Sequence, residues 1–215
     1  LSVARRNAAD GVSMAQTAEG ALNETHGMLM RMRELAVQAS NGTLSTEQRG
    51  MINDEFAALG EEIDRIAAVT SFNGTSLLDG STASVDLQVG SDNSADDRIT
   101  VTLTAADAAT LGVDAASATV DTAVNAQAAI DAVDSAIDDV SGIRSTFGVT
   151  QNRLEATMDR LHTAEENLSA AESRIRDADI ASETSSFTRG QILMQAGVAM
   201  LAQANQLPGI AMSLI

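Results

Sequence analysis

The chain has 215 residues, a formal net charge of −17 and a pI near 4.2. That balance excludes nucleic acid as a partner, because phosphate binding needs clustered Lys and Arg. With no Cys, Trp or Tyr, disulfides, thiolate chemistry and Cys-based zinc sites are excluded as well, and Leu, Ile, Val, Met and Ala must pack the core. A single Pro, at position 208, fits a helix-dominated chain. The sequence opens at Leu1, without Met and without a cleavable signal peptide, already inside a helical pattern. It reads as a fragment or a processed product.

Residues 1 to 40 form the first predicted helix. Leu1, Ala8, Ala15, Leu22, Leu29 and Ala36 recur every seven residues, and Ala4, Gly11, Ala18, Met32 and Ala39 occupy much of a second seam. Small residues in both rows allow close approach of a neighbouring helix. Asn41-Gly42 is a stop and turn signal. Ser45, with Gln48 three residues on, is a capping box that starts a second helix over 46–69. Its stripe is Ile52, Phe56, Leu59, Ile63 and Ile66. The short connection makes the two helices an antiparallel hairpin.

The pattern changes at Thr70. Phe72-Asn73-Gly74 and Asp79-Gly80 are turn signals. Val85, Leu87 and Val89 alternate, as do Ile99, Val101 and Leu103, so a β-hairpin is expected within about 72–104. The loop between them carries Asp92, Asn93, Asp96 and Asp97, but these lack the calcium-loop spacing and its downstream Glu, and read as solvated. An Ala-, Asp- and Thr-rich stretch over 104–123, with a turn at Gly112, returns the chain to helix.

The region 124–175 is the longest helical pattern. Val133, Val140, Phe147, Leu154, Leu161, Leu168 and Ile175 keep strictly to a seven-residue repeat. Ile130, Ile137 and Met158 share a second row with Arg144, Gln151, Glu165 and Glu172. Such a repeat predicts a helix of roughly 75 Å that supercoils against partners. Ala178 to Ser186 carries no strong stripe and is expected to bend or loosen. After Arg189 no residue is charged. That run could suggest a membrane span, but Gln191, Gln195, Gln203, Asn205 and Gln206, with Pro208-Gly209, favour a helix buried among other protein helices. No catalytic constellation, nucleotide loop or nucleophile motif is present, and His26 and His162 read as helix-surface residues. The fold class is mainly α: a long antiparallel coiled-coil rod with a small β-hairpin region and a C-terminal helix.

Several strings together resemble bacterial flagellin. They are Asp10-Gly11-Val12-Ser13-Met14-Ala15-Gln16, Arg33-Glu34-Leu35-Ala36-Val37-Gln38, Glu62-Ile63-Asp64-Arg65-Ile66 and Phe72-Asn73-Gly74 in the first half. In the second half they are Ser173-Arg174-Ile175, Asp177-Ala178-Asp179 and Leu201-Ala202-Gln203-Ala204-Asn205-Gln206. The resemblance implies an outer core rod domain over 1–175 and an inner-tube helix over 176–215. The N-terminal inner-tube helix and the variable outer domains of the family are expected to be missing here. It also implies a self-assembling homopolymer outside the cell, exported through the flagellar type III apparatus, with no enzyme activity, no cofactor and no small-molecule substrate. Implied partners are further copies of itself, an export chaperone on the C-terminal helix, and the filament cap and hook-junction proteins. Leu193, Met194, Leu201, Leu207, Ile210 and Leu214 become the assembly residues. Arg31, Leu35 and Glu55 match the family's positions for recognition by a Toll-like receptor, two opposite charges and an apolar anchor on adjacent helices. A hook–filament junction protein with flagellin-like ends is the alternative within the family, and a membrane-active secreted helical protein the alternative outside it.

Overall fold

The structure is a computed structural model that describes residues 1–176 and 180–212, with side chains described as far as Ala204. The order of elements is α1 (Ser2–Ala39), α2 (Thr46–Val69), β1 (Ser71–Phe72), β2 (Thr75–Ser76), β3 (Ser84–Gln88), β4 (Arg98–Thr102), α3 (Ala123–Arg176) and α4 (Ile180–Met212). The chain divides into two compact units, Leu1–Glu165 and Glu166–Ile215. The fold is mainly helical, as the heptad patterns predict, with a small antiparallel strand region inserted between α2 and α3.

In the first unit α1 is the central element. It buries three rows of side chains, not two. Ala8, Ala15, Leu22, Leu29 and Ala36 form the first row, and Ala4, Gly11, Ala18, Thr25, Met32 and Ala39 the second. The third holds Met14 and Leu35 buried, with Ala21 and Met28 partly buried against the core. A helix covered from more than one side needs a stripe wider than a two-row seam. Thr25 is the polar exception, and its hydroxyl donates to the Ala21 carbonyl one turn back, at 3.1 Å, which satisfies it inside the helix.

The α1–α2 hairpin closes with two reciprocal devices. Ser45 Oγ accepts the Gln48 N–H while Gln48 Oε1 accepts the Ser45 N–H, the capping box expected from the sequence. Arg49, on the first turn of α2, reaches back to α1. Its Nε donates to the Ala39 carbonyl and a second nitrogen to the Asn41 carbonyl, both at 2.9 Å, so α2 supplies the donors that the end of α1 lacks.

α3 runs antiparallel to α1. Arg33 pairs with Asp134 at 2.6 Å, Arg144 lies 3.7 Å from Glu19, and Arg5 lies 3.8 Å from Glu165. The predicted row Val133, Val140, Phe147, Leu154 and Leu161 is buried. The second buried row is Ala129, Ala136 and Thr150, with Ile143 half-buried. It lies on the opposite flank from the expected Ile130, Ile137 and Met158, which are half-buried. Ala129 and Ala136 carry too little hydropathy to mark a row. The first row also stops short of its sequence pattern. Leu168 is 60% exposed and Ile175 88% exposed.

Strands β1 and β2 form a minimal hairpin around Asn73 (φ 48°) and Gly74 (φ 82°), two left-handed residues that suit the twist of a two-residue hairpin turn. The sequence signals a turn there but not the pairing. Strands β3 and β4 are antiparallel, with Val85 opposite Val101 and Leu87 opposite Ile99. Their inner residues pack on α1. A Cβ on Gly11 would collide with Leu87 Cδ1 and lie 3.0 Å from Leu154 Cδ1, so glycine allows α1, β3 and α3 to meet there. In the β3–β4 loop, Asp97 Oδ2 accepts the Asp92 N–H at 2.8 Å, which folds the acidic loop on itself.

The stretch after β4 is a buried strap. Ala106, Ala108, Leu111, Val113, Ala118 and Val120 are all core residues. Two α2 side chains hold it down: Asp64 Oδ1 accepts the Ala108 N–H at 2.7 Å, and Asn53 Oδ1 accepts the Val120 N–H at 2.9 Å. Between those bonds the strap passes close over Gly60, where a Cβ would meet the Val113 carbonyl at 3.4 Å.

In the second unit, α4 starts at Ile180. The bend expected over Ala178 to Ser186 is therefore corrected from Ile180 onward, where the backbone is helical. Ala178 and Asp179 lie outside the described residues.

Candidate recognition and assembly surfaces

The candidate recognition surface lies on the α1–α2 hairpin. Helical spacing puts Arg31 and Glu34 one turn apart, and the antiparallel hairpin brings Glu55 opposite Arg31. Arg31 donates through Nε and a terminal nitrogen to Glu55 Oε1, at 3.0 and 2.7 Å, and through its other terminal nitrogen to Glu34 Oε2 at 3.0 Å. The hydrogen bond that Arg31 donates to Glu55, then the one it donates to Glu34, pushes its pKa up further. Arg33 is raised likewise by its bond to Asp134. These pairs are solvent-exposed, so they set local geometry more than stability. Leu35 differs from its expected place. It is 1% exposed and belongs to the core, because it stands in the third buried row of α1. The exposed apolar groups near the arginines are Met30 and Val37, which with Arg33 and Glu34 line a shallow hollow. The sequence reading missed this pair. The interrupted string Met30-Arg31-Met32-Arg33 was the signal, since alternate residues there must face opposite sides of the helix.

The candidate assembly surface lies on α4. Among its described residues, Ile192, Leu193, Met194, Val198, Met200 and Leu201 are each 60% exposed or more. Of the expected assembly residues, Leu193, Met194 and Leu201 thus stand open to solvent. The side chains of Leu207, Ile210 and Leu214 lie outside the described residues. So large an apolar surface on one helix marks a protein-association or membrane-contact face. Among the described residues no helix is long and apolar enough to cross a membrane.

His162 is exposed as expected, whereas His26 is half-buried rather than on the helix surface, and its Nδ1 has no hydrogen-bond partner. Among the described residues no group of His, Asp or Glu side chains could hold a metal ion.

Long helices with seven-residue rows, a small hairpin insert and an exposed apolar face on α4 define a mainly helical protein. The comparisons with known proteins name the group. The model of the bacterial flagellin N-terminal helical region matches residues 1–83, and that of the bacterial flagellin C-terminal helical region matches residues 130–215. A flagellin of Halalkalibacterium halodurans is 49% identical over 215 residues, all of this chain and 78% of the relative. Among solved structures, flagellin of Bacillus cereus superposes with a TM-score of 0.64 at 30% identity, over 78% of this chain and 94% of that one. A putative flagellar hook-associated protein from Vibrio parahaemolyticus gives 0.66 over 80% of this chain and 90% of that one, but at 14% identity it shares the fold alone. This chain belongs to the bacterial flagellin family, a family of structural proteins and not of enzymes.

Proposed function

We propose that the chain is a subunit of the extracellular flagellar filament, exported through the flagellar apparatus and polymerised head to tail into a helical homopolymer. The observation that carries this reading is the exposed apolar surface of α4 in a chain whose relatives are flagellins. Heterologous contacts that do not close generate a filament, and burial of that surface drives assembly at about 25 cal/mol per Å². The same surface is the docking place for an export chaperone before assembly. Filament cap and hook-junction proteins then contact the two ends of the polymer. Substituting Leu201→Asp should abolish polymerisation, and normal filaments from that variant under negative-stain electron microscopy would overturn the proposal. A hook–filament junction protein with flagellin-like ends is the second reading, since the fold by itself is shared with a hook-associated protein. A junction protein stops after a ring, so filament length separates the two.

Recognition by the flagellin-sensing Toll-like receptor is a finer part of the proposal. It rests on Arg31 and Glu55 being exposed beside Met30 and Val37, with Leu35 acting from beneath by holding the α1 surface in shape. Replacing Arg31→Ala should weaken receptor binding in a direct affinity measurement while leaving the circular dichroism unchanged. An unchanged affinity would remove Arg31 from the site.

A further inference from the structure

The chain contains two Asn-Gly steps in exposed turns, and their surroundings differ. Asn73-Gly74 is the β1–β2 turn, fixed with φ of 48° and 82° between paired strands, and the Asn73 amide has no hydrogen-bond partner among the described residues. Asn41-Gly42 lies in the connection between α1 and α2. Asn41 Oδ1 accepts the Thr43 N–H at 3.1 Å. The Asn41 main-chain carbonyl is held by Arg49 at 2.9 Å and by the Leu44 N–H at 3.3 Å. A Cβ added at Gly42 would meet nothing within 4 Å.

We propose that Asn41 is a site of spontaneous deamidation that converts to aspartate and isoaspartate ahead of Asn73. The Gly42 backbone nitrogen attacks Asn41 Cγ and forms the new C–N bond. The side-chain nitrogen leaves as ammonia, carrying the proton lost by Gly42, and a succinimide remains. Water then opens the ring. Cleavage of the bond from the Gly42 nitrogen to Cγ gives aspartate, and cleavage of its bond to the main-chain carbonyl carbon gives isoaspartate. Three features favour Asn41. The Thr43 N–H already rests on the oxygen where negative charge develops during attack, as an oxyanion donor does. Gly42 has no side chain to obstruct the approach. The connection is not part of a strand ladder, whereas rotation at Asn73 would break the β1–β2 pairing.

The product changes the hairpin. A carboxylate appears at the C-terminal end of α1, where the helix dipole disfavours negative charge, and the Arg49 guanidinium is the cation beside it. Isoaspartate also lengthens the main chain between the two helices and moves the position-41 carbonyl away from Arg49.

The test is peptide mapping by mass spectrometry of purified protein aged in mildly alkaline buffer, with isoaspartyl-methyltransferase labelling to separate the two products. Both products should accumulate at position 41 before position 73. Gly42→Ala, which has open space for its methyl group, should suppress the conversion with the helices intact by circular dichroism. Thr43→Pro, which removes the N–H that donates to Oδ1, should slow it roughly fivefold, the weight of one exposed hydrogen bond. Equal or faster conversion at Asn73, or a rate unaffected by Thr43→Pro, would overturn the proposal.

Discussion

The two units of this chain treat their apolar helix faces oppositely. In the first, Leu22, Leu29, Phe147 and Leu154 are closed off from solvent; in the second, Leu193, Met194 and Leu201 are open to it. The first unit has a buried core of its own, whereas the described large apolar side chains of the second are exposed. Even within α3 one seven-residue repeat changes role between Leu161, which is buried, and Leu168, which is not. Hydrophobic pattern therefore identifies a face that will be covered, and only the packed structure shows whether the same chain covers it.

The largest test of this contrast is a pair of truncations. Phe147→Ala removes a buried ring and should cost about 3–5 kcal/mol, read as a lower denaturant midpoint. Leu201→Ala in the unassembled chain removes an exposed side chain and should stay within about 0.5 kcal/mol of the parent. A similar loss from both would erase the distinction between the units.

A pair of glycine substitutions should give opposite signs. In Gly11→Ala the methyl group meets Leu87 and Leu154. Because Leu154 is fully buried and has little room to yield, overpacking takes the upper part of a range of about 1–3 kcal/mol, which exceeds the gain of about 1 kcal/mol in helix propensity and leaves a net loss. In Gly197→Ala nothing lies within 4 Å of the new methyl group, so only the gain of about 1 kcal/mol remains. Thermal melts of the two variants followed by circular dichroism should move in opposite directions.

The smallest expected effect is on acid stability. Five carboxyls are held below their ordinary range: Glu47 by its own backbone N–H, Glu62 by Arg65, Asp79 by Ser81, Asp114 by Ser117 and Asp121 by Asn125. A depressed folded pKa gives stability that is present above the unfolded value and is lost as pH falls through the folded one. All five lie in the first unit, so its melting should shift down on acidification through the carboxylate range. A melting temperature that rose over that range would contradict the assignment.

Much of the architecture was legible in the sequence, because helix rows and strand alternation are periodic. The capping box at Ser45, the row from Val133 to Leu161 and the facing strands around Val85 and Val101 all follow from local pattern. The failures have a common cause. Ala129 and Ala136 mark a buried row, and Ala106, Ala108 and Ala118 a buried strap, yet alanine is nearly neutral in hydropathy and reads as filler. Leu35 matches the family's receptor motif yet lies in the third buried row of α1, a row that exists because α1 is covered on more than one side. Of the candidate surfaces, the Arg31–Glu55 pairing was legible from antiparallel spacing, while the Met30 and Val37 hollow needed the helix rotation that packing sets.

The Arg49 clamp bears on the order in which the chain folds. Contacts within the α1–α2 hairpin span short loops; Arg31 and Glu55 are 24 residues apart, against 101 for Arg33 and Asp134. Loop-closure entropy rises with separation, so the hairpin can form before α3 arrives. Arg49 of α2 satisfies carbonyls at the end of α1, so the arrival of α2 completes that helix end. The chain thus carries near its start a local nucleus, onto which the distant seam of α3 can close.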